Sequence, residues 1–430
     1  MSIREAIAAG GDRTIDPAID PLHKGIGWLD ETVEREAAVE RGWNLLREDL
    51  ALPAAVLYED KLRNNLDWMQ RFMAAYGAKL APHGKTTMAP RLFAMQLEAG
   101  AWGITLATAQ QVRAAYAHGV RRVLMANQLV GRANMAIISH LLADPAFEFY
   151  CLVDSAAQIE QLGAYFCERG QQVNVLLELG VADGRTGVRD EPQLQAALQA
   201  IANCNGSVVL SGVEVFEGVL KDEDAIRAFL ARAVGTAREI ADRGLFGRTP
   251  FLLSGAGSAW YDVVAEVFSS ADLRDAAEIV LRPGCYLTHD IGAYREAQER
   301  IQRCSPVARE MGEGLVPALH IWAYVQSIPE AGRAIVGMGK RDAAFDAGLP
   351  VPALHFRPGD ALPKPPSAHW TLTRMMDQHS FLHIAPGDDL RVGDMIGFDI
   401  AHPCLTFDKW RIMALVNTHF DVVDLVRTYF

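Results

Sequence analysis

No uninterrupted apolar stretch in these 430 residues approaches the ~20 needed to span a bilayer. The first residues, Met1-Ser2-Ile3-Arg4-Glu5, lack the apolar centre of a secretory signal. Basic runs are missing as well. Forty-one Lys and Arg stand against 53 Asp and Glu, a formal net charge of -12, which argues against nucleic acid and anionic membranes as partners. Cysteine is sparse: Cys151, Cys167, Cys204, Cys285, Cys304 and Cys404 follow no regular spacing, so a disulfide framework is not expected. There is no solenoid repeat, no low-complexity tract and no Gly-x-x-x-x-Gly-Lys-Ser/Thr loop for a nucleoside triphosphate. The expectation from these absences is a soluble cytoplasmic protein with reduced thiols.

What is present is a chain half apolar in composition, enough for a large core and about two domains. Residues 1–30 are mixed and Gly-rich, an expected extended arm. Over 31–48, Val33, Ala37, Val39, Trp43 and Leu46 recur at helical spacing, which predicts an amphipathic helix. From Leu52 onward short apolar runs alternate with helix-like segments. The runs are 54–58, 79–82, 104–107, 123–126, 148–153, 173–179, 208–215 and 251–254. Eight units over some 250 residues, with strands apolar on both faces, predict a parallel (β/α)8 barrel; a doubly wound sheet is the rival. After about residue 305 helical periodicity fades. Strands are expected at 316–325, 333–336, 395–400 and 412–416, and Pro350, Pro352, Pro358, Pro363, Pro365 and Pro366 mark an expected long loop. The resulting division is 1–50 arm and helix, 51–305 barrel, and 306–430 a mostly antiparallel β domain.

Chemistry concentrates in a few turns. Ala81-Pro82-His83-Gly84-Lys85-Thr86-Thr87 follows a strand, so Lys85 has a rigid mount suited to Schiff-base formation, with His83 on the same side of the extended chain. A loop lysine is otherwise a solvated charge. Asp183-Gly184-Arg185-Thr186-Gly187 offers an arginine that can reach an anionic oxygen, or simply an exposed turn. Ser254-Gly255-Ala256-Gly257-Ser258 allows close backbone approach to a phosphate, or is an ordinary Gly-rich turn. Arg282-Pro283-Gly284-Cys285-Tyr286 adds a phenol, and Asp290 follows. Far away, Ala401-His402-Pro403-Cys404 places an imidazole and a thiol one residue apart. In extended backbone both can bind one zinc ion and leave positions open; the bland alternative is a lone His and a buried Cys. His379 is a further imidazole with no informative spacing.

Taken together, these motifs resemble the fold-type III pyridoxal phosphate enzymes: alanine racemase, D-threonine aldolase and the D-serine dehydratase-like group, which includes bacterial D-serine deaminases. The likeness runs from Leu52 to the C-terminus, and Val215-Phe216-Glu217-Gly218 matches a further strand end of the group. It implies an alanine racemase-like, pyridoxal phosphate-binding (β/α)8 TIM barrel followed by a β domain that carries a metal site. By the same resemblance Lys85 is the Schiff-base lysine, with His83 beside the cofactor and Arg185 at its phenolic oxygen. Ser254, Gly255, Gly257, Ser258 and Tyr286 surround the phosphate, and His402 and Cys404 hold Zn2+. The implied reaction is loss of water from D-serine or a related D-3-hydroxy amino acid, giving a 2-oxo acid and ammonia. Retro-aldol cleavage of the D-threonine aldolase type is the alternative within the group; a silent pyridoxal phosphate-binding protein is the alternative outside it. A homodimer is implied too. Thr87 departs from the pattern, standing where many relatives carry a second His.

Overall fold

The structure is a computed structural model, and it describes residues 18–273 and 276–430. The first part of the expected N-terminal arm, residues 1–17, lies outside the described residues. The amphipathic helix expected over 31–48 is reduced to one short helix, α1 (Arg35–Val39). Gly42 follows it at φ +67°, a left-handed turn that ends the helix. Asn44 then bends the chain again, its side-chain oxygen accepting the N–H groups of Leu46 (2.9 Å) and Arg47 (3.1 Å).

Eight parallel strands form the barrel: β2 (Lys79–Leu80), β3 (Ile104–Leu106), β4 (Arg122–Gln128), β5 (Glu148–Val153), β6 (Val173–Leu179), β7 (Val208–Val215), β8 (Phe251–Gly255) and β9 (Ala277–Leu281). Pairing runs β2-β9-β8-β7-β6-β5-β4-β3. A bridge between His83 and Thr105 closes the ring, with Trp102 N–H donating to Leu80 O (2.7 Å) and Thr105 N–H to Pro82 O (2.9 Å). Strand side chains alternate. Ala81, Trp102, Leu124, Tyr150, Leu176, Leu252 and Val280 fill the interior. Val123, Met125, Phe149, Val175 and Leu253 face the surrounding helices. Those helices are α2 (Glu59–Ala75), α3 (Pro90–Glu98), α4 (Ala109–Ala117), α5 (Arg132–Leu141), α6 (Ala156–Cys167), α7 (Glu191–Asn203), α8 (Glu223–Asp242), α9 (Tyr261–Ser269) and α10 (Ala293–Cys304).

Eight strands was the right number, but the set is shifted by one. The run 54–58, expected as the first barrel strand, is β1 (Ala54–Tyr58) and lies in the other sheet, between β10 (Leu319–Glu330) and β16 (Ile412–Val416). Both faces of β1 are covered: Ala55 and Leu57 belong to the main core, and Ala54, Val56 and Tyr58 to a second one. A doubly buried strand of this kind has the same apolar pattern as a barrel strand. The eighth barrel strand is instead β9, whose run is interrupted by Glu278, paired with Lys79 and Arg248.

The second sheet adds β11 (Arg333–Val336), β12 (Val351–Phe356), β13 (Thr371–Met375), β14 (Ser380–His383), β15 (Met395–Asp399) and β17 (Val422–Arg427). Its pairing is antiparallel except for β1 with β16. The long Pro-rich loop expected over 350–366 contains β12. Among the named strands it pairs with β15, and His355 adds a bridge to Lys364; its register with β15 shifts between Pro352 and Leu354, so the proline needs no ladder hydrogen bond there.

Tyr58 ties β1 to β10 from inside. Its hydroxyl accepts from Trp322 Nε1 (2.8 Å) and lies 3.0 Å from His320 Nδ1, with all three side chains buried. Tyr58→Phe therefore strands two buried polar groups, at about 1–3 kcal/mol for each. A clear drop in Tm is expected by calorimetry, and an unchanged Tm contradicts this account of the joint.

Candidate active site

The C-terminal ends of the barrel strands converge on one cavity of about 340 Å³. His83 and Lys85 reach it from the turn after β2, Arg185 from the turn after β6 and Phe216 from the end of β7. Gly257 and Ser258 come from the turn after β8, and Arg282, Gly284 and Cys285 from the turn after β9. Tyr294, on α10, lines it as well. His402 and Cys404 enter from the other sheet, on the connection between β15 and β16, and belong to the same chain as Lys85. More than three hundred residues of sequence are thus folded onto one space.

Lys85 sits in a tight 3-10 turn, Gly84–Thr86. Burial lowers its ammonium pKa, and Arg185 and Arg282 push the same way, while negative charge at Cys404 opposes them. Burial also holds the His83 imidazole well below its ordinary value, helped by Lys85 and Arg282, so the ring is neutral. Its Nδ1 has no hydrogen-bond partner. The Arg185 guanidinium lies 4.7 Å from the centre of the Phe216 ring.

Arg282 is the buried cation of the site. It pairs with Glu214 on β7, donates from Nε to Ser254 Oγ (3.1 Å) and reaches Val215 O (3.2 Å). Burial pushes the Glu214 carboxyl up to about 8, with Arg282 pulling the other way. The sequence motif containing Arg282 was legible, but nothing in it signalled a partner 68 residues away.

Three expected phosphate contacts sit differently. Ser254 is fully buried and its hydroxyl donates to Val280 O (2.9 Å). The Tyr286 hydroxyl accepts from Gln96 Nε2 (3.1 Å) beneath the cavity. Gly255 is part of β8 and packs against Val215 and Val264. None of the three lines the cavity. Gly257 does, but its N–H donates to the buried carboxylate of Glu217 (2.7 Å), as does that of Ala256 (3.1 Å). Ser258 Oγ accepts from both Gly284 N–H and Cys285 N–H, each at 3.1 Å. The ring of turns is close-packed: a Cβ at Gly284 would stand 2.7 Å from His83 O. His379 does not line the cavity.

At the metal end, Cys404 Sγ is 3.5 Å from Thr86 Oγ1 and 3.7 Å from Cys285 Sγ. Cys404 also hydrogen-bonds His402, whose Nδ1 lies 2.7 Å from Asp346 Oδ2. The Cys285 thiol, donating to Cys404, is the largest cause that lowers the Cys404 pKa to about 4; His402 and Thr86 add to it. Cys285 is correspondingly raised, and Cys404 together with Asp346 raises His402 to about 9. A thiolate beside an imidazole is a soft donor pair for a metal. Among the described residues no cluster of three or more His, Cys, Asp or Glu stands ready as a metal cage. Cys285, Tyr294 and Asp346 were given no role from sequence because they come from separate places: the turn after β9, α10, and the connection between β11 and β12.

Residues 58–286 match the family of the alanine racemase N-terminal domain, and residues 318–416 match a serine dehydratase domain. The chain belongs to the fold-type III pyridoxal phosphate family. It is similar to a D-threonine aldolase of Arthrobacter sp., 26% identical over 342 residues, 78% of this chain and 80% of that protein. It is also similar to the D-threo-3-hydroxyaspartate dehydratase of Delftia sp. strain HT23, 30% identical over 186 residues, 43% of this chain and 48% of that protein. Among solved structures, D-threonine aldolase from Filomicrobium marinum superposes at TM-score 0.73 with 23% identity, over 90% of this chain and 97% of that one. The Delftia dehydratase structure gives 0.69 with 23% identity, over 90% and 99%. The fold of this family member, an alanine racemase-like barrel with a C-terminal mostly antiparallel sheet, is the one expected from sequence.

The cavity fits pyridoxal phosphate: an amine at its mouth, a cationic lining, an aromatic wall at Phe216 and a glycine with no room for a side chain. Two predictions follow from the electrostatics. Arg282→Met removes the cation that offsets burial at Glu214, so at a pH high enough to ionise that carboxyl its charge is unpaired in the barrel, at about 3–5 kcal/mol. The resulting Tm deficit should shrink as pH falls, because protonation removes the stranded charge, and adding Glu214→Met should recover part of it. Second, a neutral amine captures an aldehyde, so the rate at which the cofactor-free protein takes up pyridoxal phosphate should rise with pH. With the Lys85 pKa lowered, the rate should level off below the ordinary lysine value of about 10.4. A profile still climbing there contradicts the lowered pKa of Lys85.

Proposed function

We propose that this protein is a pyridoxal phosphate- and zinc-dependent D-serine dehydratase, removing water from D-serine and related D-3-hydroxy amino acids. A pyridoxal phosphate-dependent lyase acting on a D-amino acid, by dehydration or by aldol cleavage, fits the family and both relatives. The observation that carries the finer reading is that one cavity holds both an amine of lowered pKa, Lys85, and a His402–Cys404 pair whose sulfur lies 3.5 Å from Thr86, the residue next to that lysine.

Bound through Lys85, the cofactor supplies an electron sink for charge that develops at Cα. Lys85 would serve as the base for the Cα proton, and its lowered pKa favours the neutral amine that this task needs. Neutral His83 and cationic Arg185 flank it. Arg185, Lys85 and Arg282 give the cavity a positive field for a carboxylate and a phosphate. Phe216 and the close-packed glycines limit water around the reacting carbon. At the far wall, His402 and Cys404 would hold zinc, which supplies a Lewis acid for the β-oxygen. Dehydration needs that help because hydroxide is a poor leaving group. Ser254, Gly255 and Tyr286 support the phosphate turns from behind, and Gly257 and Ser258 line the cavity. The free cysteines agree with a reducing cytoplasm, and family resemblance supports a homodimer.

Retro-aldol cleavage uses the same residues and is favoured by the long match to a D-threonine aldolase. Product analysis with D-serine separates the two. Pyruvate and ammonia, lost on chelation and restored by zinc, are the expected result. Glycine and formaldehyde would make the protein an aldolase, and cofactor uptake without any turnover would make it a binding protein. Cys404→Ala should lower elimination by roughly 10²–10³-fold, the equivalent of several kcal/mol of charge stabilisation, while leaving the visible band of the lysine-bound cofactor intact. Full activity in that variant would remove zinc from the reaction.

A further inference from the structure

Two protein donors are few for a catalytic zinc, which ordinarily takes three and leaves the fourth position open. We propose that Cys285 is the third ligand, completing a Cys2His set with His402 and Cys404; this rests on the metal role given to that pair above. The two sulfurs come from separate parts of the molecule, Cys285 from the turn after β9 and Cys404 from beyond β15, 119 residues apart. Their Sγ atoms are nevertheless 3.7 Å apart, and both line the cavity. That is far longer than a disulfide, about 2.05 Å. It is the edge of a tetrahedron: with Zn–S near 2.3 Å, two thiolates on one zinc lie roughly 3.8 Å apart.

The surroundings leave Cys285 as the remaining soft donor. Asp346 is engaged with His402 Nδ1 at 2.7 Å, which fixes that nitrogen and turns Nε2 toward the sulfur side. A carboxylate on the non-ligating nitrogen is the usual way a zinc histidine is oriented. Asp290 Oδ1 accepts from the N–H groups of Gly292, Tyr294 and Arg295. Thr86 Oγ1 lies 3.5 Å from Cys404 Sγ and 4.0 Å from Cys285 Sγ, a neutral hydroxyl beside two thiols. Cys285 itself is firmly mounted. Its N–H donates to Ser258 Oγ (3.1 Å), and its carbonyl accepts from His289 N–H (2.7 Å). The described residues form no ready-made three-donor cluster, so side-chain rotation closes the set as the ion enters and the Cys285 thiol gives its proton to solvent. The consequence is mechanical as well as chemical. His402 and Cys404 stand on the second sheet, whereas Cys285 stands on the barrel, so the metal clamps the two together above Lys85 and fixes where the open position points.

The test is cobalt(II) titration of the cofactor-loaded, metal-free enzyme under a non-thiol reductant, comparing wild type, Cys285→Ser and Cys404→Ser. Wild type should bind one ion, with sulfur-to-cobalt charge-transfer absorption that falls to about half in Cys285→Ser. Competition with zinc should show at least a 10-fold weaker site in that variant, and zinc should raise its Tm less than it raises that of wild type. Zinc-edge X-ray absorption of the wild type counts sulfur ligands without any variant, and two are expected. One sulfur, or an unchanged band and affinity in Cys285→Ser, overturns Cys285 as a ligand while leaving the dehydratase reading in place. A wild type that binds neither ion overturns both.

Discussion

The seam between β2 and β3 is the constraint on which the cavity depends. β2 contributes only two paired residues, so the ring of strands is closed by the extended segment that follows it. Thr105 holds this segment twice, by its N–H to Pro82 O and by its Oγ1 to Ala81 O at 2.7 Å. Ala81 N–H is in turn bound to Leu281 O on the other side. Lys85 follows within one turn. A slip of one residue at this seam would send alternate side chains to the opposite face. Gly84 enforces the same placement, because a Cβ there would stand 2.7 Å from the Phe93 ring. The mount of the lysine is therefore part of the barrel's own closure and not a loop laid over it.

A second constraint is electrostatic. Lys85, Arg185, Arg282 and His402 all border one small space, and unrelieved positive charge there would oppose folding. Two devices relieve it. Glu214 neutralises Arg282 from below, out of contact with the cavity, and Cys404 carries negative charge at the opposite wall, where His402 and Cys285 hold it. Lys85 lies between these poles, and burial lowers its pKa. The field is thus graded: fixed cations where anionic groups must bind, a neutralisable amine in the middle, and soft donors at the far side.

Much of this was legible in the sequence because the chemistry-bearing residues occur in short turns directly after strands. Lys85 with His83, Arg185, Ser258 and the His402–Cys404 pair all line the cavity. What escaped the pattern was pairing across long separations. Glu214 looked like one polar residue in an apolar strand, and its partner Arg282 lies two strands away. Cys285 looked like a spacer between Gly284 and Tyr286. Ser254, Gly255 and Tyr286 were expected at the phosphate from hydroxyl or glycine character; in the fold Ser254 Oγ bonds Val280 O, Tyr286 bonds Gln96 and Gly255 lies within β8. The same ambiguity misplaced β1, because burial on both faces erases the alternation that would distinguish one sheet from another.

That misplaced strand explains how a site shared by two sheets holds its geometry. β1 is hydrogen-bonded within the second sheet but runs directly into α2 of the barrel, so the chain crosses between the two at Tyr58–Glu59. Asn65, fully buried on α2, bonds to Leu287 O and Val316 O at 2.8 Å each and accepts from Val316 N–H at 2.9 Å. Its amide thus binds both ends of the segment that leads from the barrel into β10. The same segment begins with the turn carrying Arg282 and Cys285. A site whose lining comes from two sheets tolerates little variation in the distance between its two walls. Here that distance is set by a buried strand and a buried amide and not by a hinge. The second sheet accordingly serves as a fixed wall of the cavity, and His402 and Cys404 approach Lys85 because the chain has no alternative path.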